Sequence, residues 1–149
     1  MSPAFLDANI PMYAGGAEHP YREPALRVLE LVSERPSAFV SSAEVLQELL
    51  HRYLPRTLWG RGRIVFEGFA ELMTGRTVPV LAVDVVYAST LADAANRTGG
   101  IEARDLLHAA VMHRLGITRI VSTDRGFDRI EGVTRLDPAH LGVWASSLD

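Results

Sequence analysis

The chain has 149 residues, 48% hydrophobic and 22% charged, which suits one folded domain and argues against a disordered chain. It contains no cysteine and no lysine, so disulfides, thiolate nucleophiles, cysteine zinc sites, Schiff-base chemistry and a P-loop ATPase are excluded. All 15 basic residues are arginine, and the net charge of −3 argues against a protein that coats nucleic acid with a generally basic surface. No segment approaches the roughly 20 apolar residues that span a bilayer. The N-terminal stretch has neither the basic nor the apolar region of a signal peptide, so the expectation is a cytoplasmic protein without membrane association.

The apolar stretch Pro3 to Leu6 ends at Asp7 and predicts a buried first strand. A turn-rich loop with Gly15, Gly16 and Pro20 is expected next. Leu26, Val28, Leu29 and Val32 give residues 21–34 a helical period, and Pro36 stops it. Ala38 to Val40 predicts a second strand, after which Ser41 or Ser42 caps a helix that runs to about Tyr53, ahead of Pro55. Residues 58–74 predict another helix, weakened by Gly60, Gly62 and Gly68. Val78 to Val83 predicts a third strand. Asp84 then starts a helix through about Arg97, closed by Gly99 and Gly100. Residues 102–115 are strongly helical, with Leu106, Ala109, Ala110 and Met112 inward and Gly116 as the stop. Arg119 to Ser122 predicts a fourth strand, followed by an acidic turn over 123–128, and Val133 to Leu136 a fifth. Strands alternating with helices imply an α/β fold with a mainly parallel sheet, whose working groups sit beyond the carboxyl ends of the strands.

The carboxylates fall where such a sheet would use them. Asp7 closes the first strand and Asp124 follows the fourth, so neighbouring strands would bring both to one rim. Asp105 lies early in the helix before the fourth strand, and Glu48 lies mid-helix between Leu46, Leu49 and Leu50. Asp128 follows Asp124 by four residues. Each has a plain structural alternative, as a helix cap, a turn former or a solvated face residue. Together on one rim they would repel, and a hard divalent cation such as Mg²⁺ or Mn²⁺ relieves that cost through oxygen ligands. Residues 51–63 carry Arg52, Arg56, Arg61 and Arg63 with Tyr53 and Trp59. This is either a phosphate- and base-contacting surface or a solvated face with a core tryptophan. His51, His108 and His113 are taken as hydrogen-bonded structural histidines, although His108 shares the helix face of Asp105.

The segments FLDANI (5–10), VLQELLHR (45–52), ARDLLHAAVMHRLG (103–116) and IVSTDRGFDRI (120–130) resemble the four motifs of PIN-domain ribonucleases, in their order and spacing. The likeness is greatest to the VapC toxins of bacterial toxin–antitoxin pairs and covers nearly the whole chain, so residues 1–149 are expected to form a single PIN domain. The resemblance implies a PIN-like, Rossmann-like three-layer sandwich with a mainly parallel five-stranded sheet flanked by helices. It implies a Mg²⁺-dependent endoribonuclease, with Mn²⁺ able to substitute. Asp7, Glu48, Asp105 and Asp124 match the family's catalytic acids. Glu48 is preferred over Glu44, because the family's glutamate sits in a leucine, any residue, Glu, leucine pattern. Asp128 matches a further acidic position, and Asp7, Asp105, Asp124 and Asp128 are the implied metal ligands. Asn9 and Thr123 match polar positions beside the acids and, with Arg52 and Arg56, are candidate substrate contacts. The implied partners are RNA, a cognate antitoxin and a second copy of the chain. Trp59, Phe66, Phe69 and Met73 recur near one helical face and form either core or a groove for an antitoxin segment.

Rival readings fare less well. A phosphoacceptor receiver domain needs a lysine near its aspartate, and none exists. A haloacid-dehalogenase-type phosphatase needs an aspartate two residues after the first, where this chain has Asn9, and again the lysine. A stand-alone PIN nuclease, or a non-catalytic RNA-binding PIN-like module, remains the alternative within the resemblance.

Overall fold

Five parallel strands in the order β3-β2-β1-β4-β5 form one sheet in the computed structural model, which describes residues 2–148 apart from the Arg56 side chain. The strands are β1 (Ala4–Leu6), β2 (Phe39–Ser42), β3 (Thr77–Val78), β4 (Arg119–Val121) and β5 (Thr134–Leu136). β1 lies at the centre. Phe5 pairs with Val40 on one side and with Ile120 on the other, and all three residues of β1 are buried. That explains its unbroken apolar run, since a strand covered on both faces has no solvent side to make polar.

Parallel neighbours cannot be joined by a tight turn, so helices fill most of the crossovers. α1 (Asn9–Ala14) and α2 (Arg22–Glu34) lie between β1 and β2, and α3 (Ala43–Tyr53) and α4 (Trp59–Leu72) between β2 and β3. α5 (Ala82–Thr98) and α6 (Ala103–Arg114) connect β3 to β4. A 3₁₀ segment, Arg125–Arg129, precedes β5. The chain closes with α7 (Leu141–Trp144), whose buried Trp144 donates its Nε1–H to the Asp137 carbonyl at 2.8 Å. The chain runs outward from β1 through β2 to β3, then returns to the other side for β4 and β5. The direction therefore reverses between β1 and β4, and a crevice opens at their carboxyl ends.

Two expectations are corrected. The segment after Asp7 first forms α1, and the turn-rich loop with Gly15, Gly16 and Pro20 is confined to residues 15–21. Pro11 sits in its first turn, where its missing N–H breaks no helical bond, and Ile10, Pro11 and Ala14 are buried. The third strand does not reach Val83. Pro79 lacks the N–H that would continue the ladder, and the chain turns into α5. There Asp84 stands inside the first turn and its Oδ2 accepts the Leu81 N–H at 2.8 Å. α4 forms despite its three glycines. Gly62 is buried, and a Cβ there would collide with the Tyr53 side chain, so its absence lets α4 close on the end of α3.

Candidate active site

Asp7 leaves β1 at the crevice and is almost fully buried. Its Oδ1 accepts the Ala8 N–H at 2.8 Å, and its Oδ2 accepts the Ser122 hydroxyl at 2.6 Å and the Asn9 amide at 3.1 Å. Burial pushes the Asp7 carboxyl above its ordinary range despite these donors, and the nearby Glu48 charge adds to the rise. Ser122, buried just past β4, is the hub. Its hydroxyl donates to Asp7 and accepts from Asn9 Nδ2 and from the Asp124 N–H, both at 3.0 Å. One donated and two accepted bonds saturate a hydroxyl, so the geometry between β1 and β4 is fixed. Asp124 then caps the 3₁₀ segment, with its Oδ1 accepting the Gly126 N–H at 2.8 Å.

Asp105 enters from the first turn of α6, where its Oδ2 accepts the Glu102 N–H at 3.0 Å. Its carboxyl is pushed up to about 6, chiefly by burial and further by the charges of Asp124 and Asp7. One turn later, His108 Nε2 lies 3.2 Å from Glu48 Oε2 and 3.7 Å from Asp7 Oδ1. Burial alone would lower the pKa of His108, but the Glu48 bond and the charges of Asp7, Glu48 and Asp105 outweigh it and raise it. Glu48 is partly exposed, and Arg104 approaches it to 3.5 Å from the solvent side. Asp7, Glu48 and His108 each offer a ligand atom, all within 4.8 Å of one another. Carboxylates whose proton affinities rise through burial, and further through one another's charge, are a donor set suited to a hard divalent cation.

The signature of the PIN domain matches residues 4–133. The chain belongs to the PIN-domain family. Ribonuclease VapC13 of Mycobacterium tuberculosis is 40% identical over 131 residues, 88% of this chain and 97% of that protein. Ribonuclease VapC23 of the same species is 41% identical over 121 residues, 80% of this chain and 91% of the relative. These relatives put this PIN-domain protein among the VapC ribonucleases. Among solved structures, a DNA-bound VapBC from Salmonella typhimurium shares the fold with a TM-score of 0.71 at 20% identity, covering 93% of this chain and 99% of that one. FitAcB from Neisseria gonorrhoeae does so with a TM-score of 0.70 at 19% identity, with the same coverage. PIN-domain nucleases generally use divalent metal, in keeping with the acidic cluster.

In this PIN-domain protein Asp7 directly follows β1, Glu48 lies on α3, Asp105 on α6, and Asp124 in the turn between β4 and the 3₁₀ segment. Asp128 is half-exposed, and its carboxylate takes a two-pronged bond from Arg135, at 3.0 and 3.2 Å. Asn9 orients Asp7, and Thr123 joins the network through its backbone N–H, which donates to Asn9 Oδ1 at 3.3 Å. Arg52 is exposed and lines a cleft of about 560 Å³ together with Glu48 and Arg104, whereas the Arg56 side chain lies outside the described residues. Sequence reasoning passed over Ser122 and Arg104, and gave His108 no place at the site. Only the position of Ser122 at a strand end, two residues before Asp124, could have flagged it. Nothing local marks His108 as the partner of Glu48, 60 residues away.

Proposed function

We propose that this chain is a VapC-type toxin, a single PIN domain that cleaves RNA internally with Mg²⁺, or with Mn²⁺ in its place. The observation that carries the reading is the gathering of acids around Asp7: its ligand atom lies within 4.8 Å of those of Glu48 and His108, and the Asp105 carboxyl, raised chiefly by burial, also feels the charges of Asp124 and Asp7. Asp7, Asp105 and Asp124 would hold the ion, with waters completing its shell. When bound, such an ion lowers the pKa of a water and polarises a phosphate oxygen. The chain's own groups do the rest. Ser122 and Asn9 aim Asp7, the Glu102 N–H aims Asp105, and the Gly126 N–H aims Asp124. Glu48, the partly exposed member, gripped by His108 and Arg104, is placed to take a proton from the attacking water. No side chain need act as nucleophile.

The partners proposed are RNA, a cognate antitoxin and a second copy of the chain. Solved neighbours that are VapBC and FitAB complexes bound to DNA support the antitoxin. The stripe expected to meet it is mostly internal, since Phe69 and Met73 are core. Phe69 also lines an apolar groove between α1, α2 and α4, together with Leu26, Leu29, Ile64, Val65 and Leu72. The second copy is supported by Val83, Val85 and Val86, large apolar side chains left exposed on α5. No described helix is long and apolar enough to cross a membrane.

The deciding experiment is cleavage of single-stranded RNA by wild type, Asp7→Asn and Glu48→Gln, with Mg²⁺, with Mn²⁺ and with EDTA. Wild type is expected to cut only with metal. Each variant is expected to lose activity by at least about a hundredfold while keeping its fold, because members of one catalytic unit fail together. Metal-independent cutting, or an Asp7→Asn enzyme near the wild-type rate, refutes the reading.

A further inference from the structure

A cavity of about 270 Å³ opens beside the acidic rim, with Asn9, Met12, Tyr13, Glu18, His19 and Arg52 among the residues of its walls, and Gly16 beside them. Two of its wall residues, Tyr13 and His19, carry rings, and Tyr21 packs against both. Tyr13 and His19 have centroids 4.6 Å apart, Tyr13 and Tyr21 5.4 Å, and His19 and Tyr21 5.9 Å with planes within 16°. Core packing accounts for only part of this group. Tyr13 rests against the core, but His19 is exposed. The His19 ring is nonetheless fixed, because its Nδ1 accepts the Tyr21 backbone N–H at 3.0 Å. A flat ring already held in place loses little freedom when a ligand stacks on it.

The cavity is joined to the acids in two ways. Asn9, in its wall, is the residue that bonds Asp7 at 3.1 Å. The cleft of about 560 Å³ shares Met12, Gly16 and Arg52 with it and continues to Glu48 and Arg104. An aromatic surface, the Arg52 guanidinium and Glu48, the outer member of the acid cluster, therefore line one depression. A chain with a net charge of −3 has no general attraction for RNA, so local contacts must hold the substrate against the acids.

We propose that this recess is a nucleobase subsite, which takes the unpaired base of a ribonucleotide flanking the scissile phosphate. The base stacks on the Tyr13–His19 surface, and Arg52 holds the adjoining backbone phosphate through its planar fork. Stacking needs only the π-face that every base has, so the subsite favours unpaired over paired RNA more than one base over another. The proposal rests on the ribonuclease reading, and the experiment separates the two.

Labelled oligoadenylate, oligouridylate and an abasic ribose-phosphate oligomer of equal length are titrated by fluorescence anisotropy, in EDTA, against wild type, His19→Ala and His19→Phe. Wild type is expected to bind both base-bearing oligomers more tightly than the abasic one. His19→Ala is expected to weaken oligoadenylate binding about tenfold and leave abasic binding unchanged, while His19→Phe, which keeps a ring, retains most of the preference. A His19→Ala protein that binds all three probes as wild type does, or weakens all three equally, overturns the subsite. His19 is exposed, so its variants fold, and unchanged thermal melts verify this. Wild type is assayed in parallel for cleavage of the same RNA with Mn²⁺. Cleavage with no effect of His19→Ala removes the subsite alone. A base preference that needs His19, without any cleavage, removes the ribonuclease reading alone.

Discussion

Replacing Asp105 by Asn should make the metal-free protein more stable, which is the opposite of what loss of a buried hydrogen-bonded group usually does. Asparagine keeps the shape and an oxygen to accept the Glu102 N–H, now at 3.0 Å, and it removes the charge. In the fold the Asp105 carboxyl is pushed from its ordinary 3.8 to about 6, with burial the main cause and Asp124 and Asp7 adding to it. At about 1.4 kcal/mol for each tenfold change in proton affinity, ionising it costs the folded state about 3 kcal/mol at neutral pH. Because the folded pKa is raised, wild-type stability is fully present below pH 3.8 and falls as pH rises through about 6. Asp105→Asn escapes that fall. At neutral pH in EDTA it should gain about 1–3 kcal/mol, or several degrees of melting temperature, and the gain should vanish near pH 4. Saturating Mg²⁺ or Mn²⁺ should reverse the order, since a ligand at about 100 times its dissociation constant adds roughly 2.7 kcal/mol to the protein that binds it. Thermal melts across pH, with and without metal, test all three parts. A variant less stable than wild type at neutral pH in EDTA, or a difference independent of pH, refutes the reasoning.

Away from the site, Arg114→Ala leaves the buried Asp84 without the fork that Nε and Nη2 supply at 2.8 and 3.0 Å, and should cost about 2 kcal/mol in urea unfolding at pH 7. The Arg114 bonds hold the Asp84 carboxyl below its ordinary 3.8, so their contribution is present above that pH and lost as pH falls through the lower folded value; the defect should shrink in acid. Gly62→Ala should cost about 1–3 kcal/mol, because the new Cβ collides with Tyr53, whereas Gly60→Ala and Gly68→Ala, which meet nothing within 4 Å, should be neutral or stabilising. If α5 pairs two copies, Val86→Asp should convert a dimer to a monomer in light scattering without lowering monomer stability, as Val86 is 67% exposed; a wild type that is already monomeric removes that interface.

Much of this protein is written in short-range pattern. The period of Leu26, Val28, Leu29 and Val32 marks α2, the stop at Gly116 ends α6, and the unbroken apolar run of β1 delivers Asp7 to the sheet rim. The acids of the four motifs are legible because each stands at a strand end or on a helix beside one, and such positions depend on neighbours only a few residues away. Gly signals mislead where context overrides them: α4 forms despite its glycines, one of which must be glycine for Tyr53 to fit. Tertiary structure decides which of these groups meet. Ser122 reaches Asp7 across 115 residues and His108 reaches Glu48 across 60, while the pairing of β4 with β5 presents Arg135 to Asp128. Those choices follow from strand order and helix packing, in which the energy belongs to pairs distant in sequence. No periodicity along the chain can record them.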